Sequence, residues 1–343
     1  MNEQVFDRIG NTPLIHLKSF SQQSGCNIYG KAEFMNPGGS VKDRAAAQII
    51  KDAIKNKKIK PGGTIIEGTA GNTGIGIALV ANALSLKSII VVPNNQSQEK
   101  INTLKACGAE VVLVPPVPGK NSNHFTKIAS RIANEMNDQE PLSAFLAGQF
   151  DNLSNHNAHY LSSGPEIYNQ LNGNVDGFIC AIGTGGTLAG ISKYLKEKNS
   201  NFVTGLADPP GAALYNFYKN GVLSAEGTSI TEGIGQGRIT KNIEELKVDY
   251  PYQISDQESL DVMFKLVENE GLFLGISSGI NVAGALRLAS DLGPGRNIVT
   301  ILCDSGSRYL SKIYNSAFLK SKNLTYPEWL EEKNLFNPDK YFL

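Results

Sequence analysis

A short apolar run leads directly into a glycine-rich turn in the stretch Thr64-Ile-Ile-Glu67-Gly-Thr-Ala-Gly-Asn-Thr-Gly74. The β-branched run predicts a buried strand, and a helix is expected after Gly74. The same order of strand and Gly/Ser/Thr-rich turn occurs at Gly177-Phe-Ile-Cys-Ala-Ile-Gly-Thr-Gly-Gly-Thr187 and at Ile301-Leu-Cys-Asp-Ser-Gly-Ser307. In open α/β sheets, ligands bind beyond the carboxyl ends of the strands. We therefore expect the three turns to face one crevice.

Further β-branched runs lie at 88–93, 109–115 and 297–303, and apolar residues recur at helical spacing between them, as in 45–54. Ser40 and Asp43 predict a capping box at the start of that helix. Strands that alternate with helices predict parallel sheets covered on both faces. Because the chain has 343 residues, two lobes are expected.

The overall composition argues against several classes of partner. The chain has 32 basic and 32 acidic side chains, so no net charge attracts it to nucleic acid or to an anionic membrane. No apolar run approaches the roughly 18 residues of a membrane span, and no secretory signal begins the chain, which predicts a cytoplasmic protein with small-molecule partners. The four cysteines are too far apart to indicate disulfides or zinc sites. His156 and His159 are explained better by packing than by a metal, and no metal site is expected.

The run Gly183-Thr-Gly-Gly-Thr187 has the character of a phosphate site. Small residues between a strand and a helix let several backbone N–H groups point at one anion, and the helix dipole adds positive charge. A dinucleotide site is the competing hypothesis, with Asp208 as the ribose-binding acid, but Leu188 stands where a third glycine is needed. A single phosphate group fits better than a pyrophosphate.

Lys42 follows two glycines in Asn36-Pro-Gly-Gly-Ser-Val-Lys42-Asp-Arg44. The helix dipole prefers anions in the first turn, so a lysine there is better suited to a nucleophilic, Schiff-base role than to stabilising the helix. We expect the two glycines to allow the close approach of a flat ligand.

Four motifs resemble those of the cysteine synthase / cystathionine β-synthase family, whose members are pyridoxal-phosphate enzymes of the tryptophan synthase β-like fold. They are Asn36–Arg44, Thr69-Ala-Gly-Asn-Thr73, Gly183–Thr187 and Gly275-Ile-Ser-Ser-Gly279. The resemblance extends from about Ile9 to Tyr314 in the same order and spacing. It implies an α/β protein of two lobes, each with a mostly parallel twisted sheet covered by helices.

The resemblance also implies roles for individual residues. Lys42 would bind pyridoxal 5'-phosphate as a Schiff base and later move the substrate α-proton. Asn72 would hydrogen-bond the phenolic oxygen of the cofactor, and Ser277 would meet its pyridine nitrogen. The phosphate would be held by Gly183, Thr184, Gly185, Gly186 and Thr187. The substrate carboxylate would be held by Thr69, Ala70, Gly71, Asn72, Thr73 and Gln149.

The implied lobes divide the chain unevenly. Residues 38–158 would form a smaller, mobile lobe with Lys42 and the Thr69–Thr73 loop, which closes over the substrate. Residues 12–37 and 159–330 would form the larger lobe with the phosphate site, and 331–343 would be a tail. Relatives imply a homodimer and a possible partner in the C-terminus of serine acetyltransferase.

The activity implied first is cysteine synthase, a transferase or lyase reaction in which sulfide replaces the acetoxy group of O-acetylserine. Some residues depart from that pattern, notably Ala70 in place of a serine, Gly68 in place of a proline and Asp304 in place of a serine. Cystathionine β-synthase, acting on serine and homocysteine, and cysteine desulfhydrase are therefore kept as alternatives. The non-enzyme alternative is a scaffold that binds a partner peptide in the same crevice.

Overall fold

The computed structural model describes residues 5–69 and 71–331 of the chain. These residues form ten strands: β1 (Leu14–His16), β2 (Asn27–Ala32), β3 (Thr64–Gly68), β4 (Lys87–Pro93), β5 (Glu110–Val114), β6 (Ala144–Leu146), β7 (Gly177–Cys180), β8 (Val203–Asp208), β9 (Tyr250–Gln253) and β10 (Asn297–Leu302). The same residues form twelve α-helices: α1 (Lys18–Ser24), α2 (Lys42–Lys55), α3 (Asn72–Ala83), α4 (Gln98–Ala106), α5 (Phe125–Gln139), α6 (Ser154–Ala158), α7 (Gly164–Gln170), α8 (Gly186–Lys198), α9 (Leu214–Asn220), α10 (Asp256–Glu270), α11 (Ile276–Leu292) and α12 (Ser316–Ser321).

The smaller sheet has the strand order β5-β4-β3-β6, and all of its neighbouring strands are parallel. Successive residues of a strand point to opposite faces. Ile65 of β3 accordingly packs with α2 and α3, whereas Ile66 packs against α5. Ile90 and Val91 of β4 divide in the same way. Both faces of this sheet are covered, which is the arrangement that parallel sheets require.

The larger sheet has the order β1-β2-β10-β7-β8-β9, with β1 antiparallel to β2 and the other pairs parallel. In β7, Phe178 packs with Leu188 of α8, whereas Ile179 packs with Ile280 of α11. The predicted fold class, two mostly parallel sheets covered by helices, is confirmed. Within the described part of the chain, no helix has the length and apolarity needed to cross a bilayer.

Candidate active site

A cavity of about 770 Å³ opens beyond the carboxyl ends of β3 and β7. Its wall includes nine of the residues predicted from the sequence: Lys42, Thr69, Gly71, Asn72, Thr73, Gln149, Gly183, Thr184 and Ser277. Gly185 and Thr187 line a recess of about 30 Å³ that shares Lys42 with the cavity. Ala70 lies outside the described residues. The structure thus brings the separate motifs together at one place.

Lys42 is the first residue of α2, and its loop is attached to the end of β10 by a hydrogen bond of 2.9 Å from the Val41 N–H to the Cys303 carbonyl oxygen. The two glycines before Lys42 are needed for a reason other than the expected approach of a flat ligand. A Cβ on Gly38 would lie 2.7 Å from the carboxylate oxygens of Asp43, and one on Gly39 would lie 2.9 Å from a guanidinium nitrogen of Arg308. The glycines make room for protein side chains rather than for a flat ligand.

The capping box predicted from Ser40 and Asp43 is wrong. The residue before the helix is Val41, and the Ser40 hydroxyl accepts from the Lys42 N–H at 3.3 Å rather than from the Asp43 N–H. The Asp43 carboxylate instead accepts a hydrogen bond of 2.6 Å from the Gly38 N–H, because the glycine loop folds back over the first turn of the helix. Burial raises the pKa of Asp43 to about 7, although the hydrogen bond from Gly38 acts to lower it.

Arg44 anchors the same helix through a buried ion cluster. Its guanidinium donates to both carboxylate oxygens of Glu33 at 2.7 Å and to those of Glu166 at 2.7 and 2.8 Å. Lys31 adds a contact of 2.7 Å to Glu166. Burial alone would raise the pKa of Glu166, but Arg44 and Lys31 together hold it at about 2. Because Arg44 is two residues beyond Lys42, the cluster fixes the end of α2 that carries the lysine.

Thr73 and Gln149 meet on the cavity wall, where the Thr73 hydroxyl donates to Gln149 Oε1 at 2.6 Å. Behind them lies Glu67, whose carboxylate accepts from the backbone N–H and the side-chain amide of Gln149 at 3.2 and 3.3 Å. Burial raises the pKa of Glu67 to about 7, although the hydrogen bonds from Gln149 lower it. Glu67 is therefore a buried acid that supports the predicted carboxylate site.

The side-chain amide of Asn72 is held from two sides. Its Nδ2 donates to Asp304 Oδ2 at 2.6 Å, and its Oδ1 accepts from Arg308 at 2.6 Å. Asp304 is fully buried, and the same Oδ2 accepts from the Tyr309 hydroxyl at 2.7 Å. An amide nitrogen carries two hydrogens, so one N–H of Asn72 remains for a ligand in the cavity.

The loop before α8 directs its carbonyl groups into the protein. The Gly183 oxygen accepts from Gln236 Nε2 at 3.0 Å, and the Thr184 oxygen accepts from the Thr240 hydroxyl at 2.8 Å. The first N–H groups of a helix have no partners within the helix. Since the oxygens are bonded on the protein side, these N–H groups are available to an anion at the start of α8.

Close contacts exclude a side chain at the glycine positions of this loop. A Cβ on Gly185 would lie 2.1 Å from Ile243, and one on Gly186 would lie 2.2 Å from Asn155 Oδ1. Gly185 also has a φ of 91°, which other residues rarely adopt. Asn155 in turn donates to the Thr184 hydroxyl at 2.8 Å. The loop is therefore fixed in shape by its surroundings.

His159 lies in a π-helical turn and supports the last residue of the loop. Its Nε2 is hydrogen-bonded to the Thr187 hydroxyl at 3.1 Å, and its Nδ1 to the Ser163 hydroxyl at 2.9 Å. Burial lowers the pKa of His159 well below its ordinary value, so the ring is neutral near pH 7. His156 stacks on Tyr160 instead, with ring centroids 6.3 Å apart.

Ser277 lies in the first turn of α11 and is 7% exposed. The thiol of Cys303, beside it on the cavity wall, accepts from Asn281 Nδ2 at 3.3 Å. Burial raises the pKa of Cys303 to about 12, so it is a protonated thiol near neutral pH. A place for Cys303 in this wall was not predicted; the sequence placed it only at the end of the strand before the third turn.

The charged side chains of the wall are mostly positive. Among the described residues, the cations are Lys42, Lys100, Lys120 and Arg238, and Glu232 is the single acid. Burial would raise the pKa of Glu232, but Lys100 at 2.7 Å and Lys312 lower it. A cavity with this charge favours anionic ligands.

Asp208, the acid of the competing dinucleotide hypothesis, is not on the cavity wall. Its Oδ2 accepts from the backbone N–H of Tyr215 at 2.9 Å, near the start of α9. This structural role removes the observation that favoured a dinucleotide.

The residues present fit the pyridoxal phosphate that the sequence resemblance implies. The loop Gly183–Thr187 has three glycines that leave no room for a side chain, and it offers N–H groups at a helix start, which suits a phosphate. In the same cavity Lys42 contributes a primary amine, Asn72 an amide N–H and Ser277 a neutral hydroxyl.

Comparison with known proteins gives the same picture. The sequence model of the family described as pyridoxal-phosphate dependent enzyme matches residues 5–304. Cysteine synthase 1 of Neurospora crassa is 47% identical over 331 residues, which cover 94% of this chain and 87% of that protein. The solved structure of an O-acetylserine dependent cystathionine beta-synthase from Helicobacter pylori has a TM-score of 0.82 and 37% identity, and the match covers 91% of this chain and 98% of that one.

A hydrogen sulfide-producing enzyme from Fusobacterium nucleatum is also similar, with a TM-score of 0.79 and 34% identity over 90% of this chain and all of that one. The family match and the similarity to these three proteins extend over most of the sequence. The chain belongs to the family of pyridoxal-phosphate-dependent enzymes.

Proposed function

We propose that the protein is a cysteine synthase, which forms L-cysteine and acetate from O-acetyl-L-serine and sulfide. The observation that carries this proposal is that Lys42 shares one cavity with a loop suited to a phosphate and with a loop suited to a carboxylate. The choice of substrates is supported by the relative from Neurospora crassa, which is named a cysteine synthase.

In this proposal Gly183–Thr187 bind the phosphate of the cofactor, and Asn72 donates its remaining N–H to the phenolic oxygen. Ser277 contacts the ring nitrogen with a neutral hydroxyl. When bound, the pyridoxal ring supplies a sink for the electrons released at the substrate α-carbon. Lys42 Nζ would hold the cofactor and, as the free amine once released from it, would move the proton at that carbon; a positioned general base of this kind is worth about 10²–10⁴ in rate.

The substrate carboxylate is assigned to Thr69–Thr73, at the start of α3, together with Gln149. Closure of the smaller lobe, residues 38–158, would then exclude water from the reacting atoms. The positive cavity wall favours both the carboxylate substrate and sulfide in its anionic form.

A larger thiol is the second candidate nucleophile. The cavity of about 770 Å³ is large enough for homocysteine, and the similar structure from Helicobacter pylori is named for cystathionine formation. Assays with O-acetylserine and either sulfide or homocysteine, and with serine and homocysteine, separate these activities. Release of sulfide from cysteine alone would indicate a desulfhydrase.

The test of the proposed function compares the purified protein with Lys42→Ala and with Lys51→Ala, an exposed lysine on the same helix. We expect cysteine from O-acetylserine and sulfide with the unchanged protein and with Lys51→Ala, and a loss of at least a hundredfold with Lys42→Ala. If Lys42→Ala keeps full activity, or the unchanged protein makes no cysteine when supplied with pyridoxal phosphate, the proposal is wrong.

The homodimer, the serine acetyltransferase partner and the cytoplasmic location belong to the same proposal. Light scattering measures the first, and a titration with the acetyltransferase C-terminal peptide, followed by cofactor fluorescence, measures the second. Cell fractionation measures the third.

A further inference from the structure

Both polar atoms of the Gln149 side chain are engaged in the wall of the cavity. Nε2 donates to Glu67 Oε1 at 3.3 Å and to the Gly68 carbonyl oxygen at 3.5 Å, while Oε1 accepts from the Thr73 hydroxyl at 2.6 Å. An amide donates only from its nitrogen. In this orientation the hydrogens of the Gln149 amide face away from the ligand, and the Thr73 hydroxyl hydrogen is already in use.

A carboxylate needs donors, so its binding at Gln149 requires the amide to turn over. After that turn Nε2 faces Thr73 and the cavity, whereas Oε1 faces Glu67 and the Gly68 carbonyl oxygen. An ionised Glu67 carboxylate can only accept hydrogen bonds and opposes this arrangement. A protonated Glu67 donates to Oε1 and supports it.

We propose that Glu67 takes up a proton when a substrate carboxylate binds, and that this proton keeps the Gln149 amide turned toward the ligand. The inference rests on the assignment of Thr73 and Gln149 to the substrate carboxylate in the proposed function. Glu67 is then a positioning residue, which acts on the ligand through Gln149. The proton comes from the solvent, and no covalent bond changes.

The surroundings of Glu67 contain few charges. It lies in β3, against β4, β6, α3 and α5. Neither β6 nor α3 contains a charged residue, and Lys87 of β4 is exposed. On α5 the charged residues are all exposed: Lys127, Arg131, Glu135 and Asp138. Burial and hydrogen bonds therefore set the pKa of Glu67, and burial raises it to about 7.

The titratable groups on the cavity side make no hydrogen bond to Glu67 among the described residues. His124 precedes α5 and lines the cavity, and burial lowers its pKa, so it adds no positive charge near pH 7. Lys42, Lys100 and Glu232 also line the cavity. None of them is hydrogen-bonded to Glu67 in the described part of the chain. Glu67 can thus take up a proton near neutral pH.

The sign of the pH dependence follows from linkage. Well below a pKa of about 7, Glu67 is already protonated in the free protein, and this group adds no pH dependence. Above pH 7 it must gain a proton on binding, so the apparent dissociation constant of a carboxylate ligand rises by about tenfold per pH unit. Ionisation of the ligand amine adds a further dependence that is the same in all variants.

The test uses the holoenzyme and L-alanine, which has the amine and carboxylate of the substrate but no leaving group. Binding is followed by the absorbance of the cofactor between pH 6.5 and 9, in the unchanged protein and in Glu67→Gln. A glutamine at this position donates to the turned Gln149 without a proton. We expect the variant to lose the tenfold rise per pH unit, whereas Glu135→Gln, an exposed acid on α5, should keep it. An equal pH slope in Glu67→Gln and the unchanged protein would overturn the proposal.

A second measurement on the unchanged protein covers the case in which Glu67→Gln does not fold. Calorimetry at pH 8 in two buffers of different ionisation heat gives the protons taken up with L-alanine and with L-alaninamide, which lacks the carboxylate. After correction for the two amines, we expect about one more proton with L-alanine, and equal uptake would refute the inference. Cysteine formation at pH 6.5 tests the proposed function separately, so a protein with carboxylate-linked uptake but no cysteine formation supports only the inference.

Discussion

Replacing Arg44 by methionine would remove the cation that lies between two carboxylates. The side chains of Arg44 and Glu33 are 2% and 0% exposed, and their closest contact is 2.7 Å. Methionine fills the space of the aliphatic part of the arginine side chain, so that part of the packing is kept while Glu33 loses its ion-pair partner. Removal of one partner from a buried pair costs about 3–5 kcal/mol, because the remaining charge is left uncompensated.

This loss corresponds to a measurable fall in the melting temperature. An unfolding entropy of about 2.1 cal/mol/K per residue gives about 0.7 kcal/mol/K for 343 residues. The expected fall is therefore about 4–7 °C. It is measured by circular dichroism on the protein without cofactor, so that cofactor binding does not mask the change.

The matched control is Arg131→Met, on the exposed face of α5, where we expect a change within about 0.5 kcal/mol. The double variant Arg44→Met/Glu33→Gln should recover part of the loss, because it removes the uncompensated charge. A fall of less than about 1 °C in Arg44→Met, or a double variant less stable than the single one, would refute the reasoning.

Other substitutions test the phosphate loop and the buried acids. Gly185→Ala should lower the affinity for pyridoxal phosphate at least tenfold in a fluorescence titration, because its Cβ would lie 2.1 Å from Ile243. The control is Gly221→Ala, which also has a positive φ (74°) but open space around the Cβ, and it should leave that affinity unchanged. Burial raises the pKa of Asp208 to about 7, so its stabilising contribution is full below about pH 4 and lost as pH rises to 7. Asp208→Asn should remove that loss in urea unfolding at pH 5 and 8. Arg44 and Lys31 overcome burial to hold the pKa of Glu166 at about 2. The contribution of Glu166 to stability is therefore present above about pH 4 and lost as pH falls toward 2. Glu166→Gln should reduce the pH dependence of the free energy of unfolding in that range.

The fold was predictable from the sequence where strands are long and apolar. The β-branched runs at 64–67, 88–93, 109–115, 177–182 and 297–303 each coincide with a strand to within two residues at its ends. The short strands β1, β6 and β9 were not predicted, because three or four partly buried residues give no clear period. The longer strand β2 was not predicted either. β9 also contains a proline, which edge strands tolerate.

The motifs of the candidate site were predictable, but the residues that support them were not. Arg308 donates a hydrogen bond to Asn72, which is 236 positions away in the sequence, and Gln149 donates one to Glu67, which is 82 positions away. Such long separations leave no local signal, although Arg308 does lie in the run Ser305-Gly-Ser-Arg-Tyr-Leu310. The need for a glycine at position 39 was not predicted for the same reason, since the side chain that leaves no room for a Cβ there is that of Arg308.

The attachment of pyridoxal phosphate to Lys42 is tested most directly by borohydride reduction of the purified holoenzyme, followed by peptide mass spectrometry. We expect one phosphopyridoxyl adduct, on the peptide that contains Lys42, and none in Lys42→Ala. An adduct on Lys100 or Lys120, the other lysines of the cavity wall, would contradict the assignment, as would the absence of any adduct.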